Sequence, residues 1–273
     1  RRQLEQMAAA TGADYARIAD FKALVADAVL SVAATPRGGV RLGAIVDGRH
    51  GGKALARLAA SGAWLGRPVE LPGSRPLEFE ARSGIGLELL SWPRRQVIKC
   101  LVNYHPADPI ELRLAQEARL AELADAAAVL ERELLIEVIC SGPGRGVDAR
   151  TTPRVLRRLY HLGLRPAWWK LEAQADESWR EIAEIVAAHD PLCRGALLLG
   201  LDASEEQVAQ SFDVAARHAI CRGFAIGRTI FGAPARAWLA GAIGDAGAMA
   251  LVAAGYARMI DEWRRRRPAA AAA

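Results

Sequence analysis

The stretch RPAWWKLEAQ, Arg165–Gln174, sets a lysine inside a short apolar run that opens after a proline and closes on a glutamate. An apolar run of this length bounded by turn-forming residues fits a strand covered on both faces. The runs on either side have the same character: LLIEVI (Leu134–Ile139) upstream and GALLLGL (Gly195–Leu201) downstream. Further out lie VRLGAIVD (Val40–Asp47), WLGRPVE (Trp64–Glu70), QVIKCLVNY (Gln96–Tyr104) and GFAIG (Gly223–Gly227). Between these seven runs fall helical stretches near 15–34, 51–61, 107–131, 151–162, 176–189, 205–220 and 234–241, with a last one near 246–266. Strands that alternate with helices specify parallel pairing in an α/β fold.

Helix boundaries carry their own signals. Thr152 before Pro153 reads as an N-cap followed by a first-turn proline, and SEEQ at Ser204–Gln207 as a capping box. The connection 71–95 has no such periodicity and reads as an irregular excursion. Seven strands fall one short of a (β/α)8 barrel, the TIM barrel, and the chain opens in a polar, helix-like segment. The expectation is therefore a barrel whose first strand is missing from this chain, with an open doubly wound sheet as the alternative. No repeat or linker divides the sequence, so residues 1–268 read as one domain and Ala269–Ala273 as a frayed tail.

Composition narrows the function. The chain has 273 residues, 52% hydrophobic and 25% charged, with a net charge of +5. Its arginines are interspersed with acids, and the one run, Arg264–Arg267, closes a helix where cations suit the dipole, so no nucleic-acid partner is expected. No apolar run approaches the roughly 18 residues of a membrane span and no signal peptide opens the chain, so the expected location is cytoplasmic, away from membranes. Cys100, Cys140, Cys193 and Cys221 are widely spaced and read as reduced thiols. The histidines form no HxH or HExxH pattern and no phosphate-loop fingerprint appears, so neither metal nor nucleotide cofactor is expected.

In parallel barrels the chemistry gathers at the C-terminal ends of the strands. There the sequence places Asp47 with Arg49, Lys99 with Asn103 and His105, Glu137, Lys170 with Glu172, and Gly227 with Arg228. Of 36 basic residues only Lys22, Lys53, Lys99 and Lys170 are lysines. A desolvated lysine can lose its proton and attack a ketone, which a guanidinium cannot do. Lys170 and Lys99 are the two candidates, and a structural ion pair with Glu137 or Glu172 is the competing reading. Glu137, between Ile136 and Val138, is the candidate acid and base. Asp47 and Arg49 suit hydroxyls and charges of a substrate, or simply close an Asp-Gly turn. Gly227 and Arg228 after the last strand suit a phosphate, with Gly200 and Asp202 as neighbours.

Several segments taken together, RPVELPGSRPLEFE, VIKCLVNYHPAD, RPAWWKLEAQ, DPLCRGALLLGLDAS and GFAIGRTIFGAPARAW, resemble the aldolase-like domain at the C-terminus of bacterial 5-dehydro-2-deoxygluconokinases of inositol catabolism, which also occurs alone. That domain is similar in turn to class I tagatose 1,6-bisphosphate aldolases. The resemblance implies cleavage of 6-phospho-5-dehydro-2-deoxy-D-gluconate to dihydroxyacetone phosphate and 3-oxopropanoate, on a chain cut from a kinase-aldolase fusion. It implies Lys170 as the Schiff-base lysine and Glu137 as acid and base. Lys99 becomes a substrate contact, and Gly227 with Arg228 takes the phosphate. From their places at strand ends, Asp47, Arg49, His105 and Glu172 are expected as further substrate contacts and Gly200 as a further phosphate contact. A homo-oligomer is expected. The relatives open on a strand ending in an Asp-His-Arg-like motif, of which Arg1 is the last or next-to-last residue. A sugar-phosphate-binding domain without catalysis and a metal-dependent aldolase are the alternatives.

Overall fold

Side chains alternate between two faces along each strand, and in this chain both faces are covered, which is why the strands read as unbroken apolar runs. The computed structural model describes residues 2–35, 40–81 and 83–267. The tail expected at Ala269–Ala273 lies outside the described residues, as do Arg1 and Pro268.

The chain starts with α1 (Arg2–Thr11) and α2 (Ala16–Ala33), then alternates: β1 (Gly43–Ile45), α3 (Gly52–Ser61), β2 (Trp64–Pro68), α4 (Ile85–Leu90), β3 (Val97–Asn103), α5 (Ile110–Val129) and β4 (Leu134–Ile139). It continues through α6 (Thr151–His161), β5 (Trp168–Leu171), α7 (Asp176–His189), β6 (Gly195–Leu198), α8 (Glu205–Ala215), β7 (Cys221–Phe224), α9 (Arg228–Leu239) and α10 (Asp245–Arg266). The seven strands are parallel and hydrogen-bonded in sequence order from β1 to β7, curled into a barrel that lacks one strand.

The outer face packs under the helices. Ile98, Cys100 and Val102 of β3, Ile136 and Val138 of β4, Trp169 and Leu171 of β5, and Ala196 and Leu198 of β6 are all in the main core. Trp169 donates from Nε1 to Tyr160 Oη of α6 at 2.8 Å, which satisfies a buried indole. On the inner face, Trp64 and Trp168 meet edge to face at 6.5 Å toward the N-terminal end of the strands. Close approach there demands glycine: a Cβ on Gly43 would lie 2.0 Å from the Trp64 carbonyl oxygen.

Among the described residues no strand joins β1 to β7. Behind this seam α2 packs against α10, and Tyr256 of α10 donates from Oη to the Gly43 carbonyl at 3.3 Å. A cavity of 1060 Å³ runs along the seam into the barrel, walled by Phe21 and Val29 of α2, Val252 and Tyr256 of α10, and the inner faces of the strands.

Several details differ from the sequence reading. The helix expected at 234–241 begins at Arg228, with Gly227 as N-cap and Pro234 inside it. The α6 helix begins at Thr151, as its expected range has it, but Arg150 rather than Thr152 is the N-cap, which puts Pro153 in the first turn, where a missing N–H leaves no helical bond unmade. The 71–95 connection is partly ordered, with a bridge between Glu70 and Phe79 and the α4 helix. The capping box at Ser204 and Gln207 is formed.

Candidate active site

The register fixes which strand residues meet. Lys170 lies opposite Glu137, Glu137 opposite Leu101, and Lys99 two residues before Leu101 on the same face. These side chains project into the barrel, where Glu137 lies between two ammonium groups: Oε1 accepts from Lys170 Nζ at 2.8 Å and Oε2 meets Lys99 Nζ at 2.8 Å. Lys99 also donates to Glu70 Oε1 at 2.5 Å. All three strand residues line the cavity. The neighbours of Lys170 in sequence turn out to be a poor guide to its surroundings. Trp169 and Leu171 point to the helices, and of the three flanking residues only Trp168 shares its face.

Burial shapes each protonation state. Burial lowers Lys170 below the ordinary lysine value, and the nearby Lys99 charge adds to this against the pull of Glu137. Burial would raise Glu137, but the ammonium groups of Lys170 and Lys99 outweigh it and hold the carboxyl at about 2. Burial would likewise lower Lys99, yet Glu137 and Glu70 together hold it above the usual value. The array thus contains one committed ammonium, one committed carboxylate and one amine disposed to give up its proton.

A stability prediction follows. The folded value for Glu137, about 2, lies below its ordinary 4.5, so its stabilisation is fully present above pH 4.5 and is lost as pH falls from there through about 2. That contribution is on the order of 3 kcal/mol. Urea midpoints measured from pH 5 to 2 are expected to fall more steeply for the native chain than for Glu137→Gln; parallel curves would contradict this.

A second charged group faces the array across the cavity. Lys22 of α2 donates to Asp47 Oδ2, and Asp47 Oδ1 accepts from the His50 amide at 3.0 Å. Burial would raise Asp47, but Lys22 outweighs it and the carboxyl lies below its ordinary value. At the far rim, α9 opens toward the cavity with Gly227, Arg228 and Thr229 on its lining, facing Gly200, Leu201 and Asp202. Arg228 Nη1 pairs with Asp202, and Thr229 Oγ1 donates to the Ala203 carbonyl at 2.8 Å. The amides of a helix N-terminus beside an arginine are a ready anion site.

The cavity thus gathers Asp47, Lys99, Glu137, Lys170, Gly200, Gly227 and Arg228. Three expected contacts do not join them. Arg49 lines a separate crevice with Arg67, Glu88 and Trp92. The His105 ring ties two loops together, meeting the Ala107 amide at 3.1 Å and the Gly146 carbonyl at 3.0 Å. Glu172 accepts from the Cys140 and Ser141 amides at 2.6 and 3.1 Å, bracing the loop after β4. Two residues the sequence reading passed over belong to the site, Lys22 and Glu70. Lysine scarcity marks the first, because of the four lysines only Lys53 is well exposed. Position marks the second, since Glu70 closes a predicted strand like the other polar tips.

Among the described residues no group of three or more His, Cys, Asp or Glu side chains is placed to hold a metal ion, and no helix is long and apolar enough to cross a membrane. The open parallel barrel has the aldolase type of fold. It is similar to fructose-bisphosphate aldolase from Plasmodium falciparum, solved in complex with TRAP and a small-molecule inhibitor, with a TM-score of 0.60 and 12% identity over 84% of this chain and 78% of that one. A search of curated proteins found no match. Over residues 1–267 the chain matches, and belongs to, the family described as "Uncharacterized protein conserved in bacteria (DUF2090)".

Proposed function

We propose that this chain is a class I aldolase acting on a phosphorylated keto-sugar acid, 6-phospho-5-dehydro-2-deoxy-D-gluconate. The observation that carries the reading is Glu137 held between Lys170 and Lys99 on the cavity wall. Neutral Lys170 attacks the C5 ketone, and loss of water gives a protonated Schiff base. The C3 hydroxyl proton passes to a carboxylate, the role this reading gives to Glu137. The C3–C4 bond breaks, its electrons move toward the iminium to form an enamine, and 3-oxopropanoate leaves. Protonation at C4 and hydrolysis release dihydroxyacetone phosphate and restore Lys170. Lys99 remains an ammonium beside the developing charge, and the rim at Gly200, Gly227 and Arg228 takes the phosphate.

Incubation with that compound is expected to yield both products, at an unchanged rate in excess EDTA. Absence of the products, or loss of the rate in EDTA, would contradict the proposal. Replacement of Arg228 by alanine removes a charge-assisted contact and should weaken phosphate-bearing ligands by about 10- to 100-fold. That change should appear mainly in KM, and an unchanged KM would remove the rim from the site.

A further inference from the structure

Four buried or nearly buried side chains form a line of alternating charge: Glu70, Lys99, Glu137 and Lys170, joined by contacts of 2.5, 2.8 and 2.8 Å. The line has two unlike cations. Lys99 is interior, with a carboxylate on each side, whereas Lys170 is terminal, with one carboxylate that it shares. Glu70 is set back from the cavity that Lys99, Glu137 and Lys170 line. Its Oε1 meets Lys99, and its Oε2, also buried, has no hydrogen-bond partner among the described residues.

The other charged groups nearby do not change this balance. The Cys100 thiol is pushed up by burial and by Glu70, so it stays neutral. Lys22 and Asp47, across the cavity, pair with each other. Arg67 of β2 turns to the outer face, over the Trp92 ring at 3.9 Å and toward Glu88 at 3.4 Å.

Two lysines sharing a single carboxylate would be near equivalents, and a proton withdrawn from the trio could leave either one. A second carboxylate on one of them breaks the tie. We propose that Glu70 is the positioning residue that holds Lys99 as an ammonium and so leaves Lys170 as the amine that meets a substrate carbonyl. The role given to Lys170 rests on the aldolase reading; the effect of Glu70 on Lys99 does not.

The chain has only four lysines, so protein labelled with ¹³C at the lysine ε-carbon gives four signals whose pH titrations can be followed one by one. In the native chain Lys99 should titrate at a higher pH than Lys170. Lys99 titrating below Lys170 would overturn the proposal without any variant. In Glu70→Gln the acid constant of Lys99 should rise at least about tenfold. Glu70→Asp, which keeps the charge on a shorter arm, should fall between the two and serves alone if the glutamine variant does not fold. A Lys99 titration unmoved by either change would overturn the proposal. Borohydride trapping with dihydroxyacetone phosphate separates the two readings: the adduct should lie on Lys170 alone in the native chain and divide between Lys170 and Lys99 in Glu70→Gln. A shifted Lys99 titration with no adduct on any lysine would remove the aldolase reading and leave the effect of Glu70 on Lys99 standing.

Discussion

Lys170→Met should abolish turnover, by on the order of 10⁴-fold or more, while the folded chain persists and phosphate-bearing ligands still bind. The size of the loss reflects the chemistry: without the amine there is no iminium to take up the electrons of the breaking bond, and no neighbour can replace it, because Lys99 is committed as an ammonium between Glu137 and Glu70. The fold survives because methionine matches the length of the lysine stem and removes a charge from the barrel interior. Glu137 keeps Lys99 as its partner. A sugar-phosphate-binding domain would show the same retention of ligand but would have had no turnover to lose. Ligand affinity and rate measured on one preparation therefore separate the two functions, and a variant with substantial residual turnover would contradict the role of Lys170.

Glu137→Ala should carry the largest stability cost of any single change at the site. It strips Lys170 of its carboxylate and Lys99 of one of two, in a region where both side chains are nearly buried. Leaving a buried charge uncompensated costs about 3–5 kcal/mol. The double variant Glu137→Ala, Lys170→Met removes the most poorly compensated charge along with its partner and should recover much of that loss. Urea unfolding of the two proteins tests the pair. Equal midpoints would show that the cavity left by the side chain, rather than the uncompensated charge, is the source of the cost.

The strands were legible in the sequence because both faces of a parallel sheet are buried, which makes each strand a local apolar run. LLIEVI forms β4 with the same two end residues, and the other strands agree to within a few residues. The lysine in WWKLE was also legible as an anomaly, although its environment was not. Period-two alternation sends Trp169 and Leu171 to the helices, so the desolvation of Lys170 comes from the barrel interior and the strands facing it. Lys22 escaped notice because it is on α2, a helix, while the chemistry was sought at strand ends; only the packing of α2 along the seam brings it to Asp47. The start of α9 was missed for a different reason. Pro234 carries a familiar start signal, whereas Gly227 caps the helix without any side-chain bond. Arg49, His105 and Glu172 share the end of the barrel with the site, but loop geometry turns them away from the cavity, and loop geometry is what strand patterning leaves unspecified.

The most direct measurement is borohydride reduction of the chain in the presence of dihydroxyacetone phosphate, followed by intact-mass analysis and peptide mapping. One adduct per chain, on the peptide that contains Lys170, is the expected result. An active chain whose Lys170 remains unmodified, or an adduct confined to Lys99, would contradict the account at its centre.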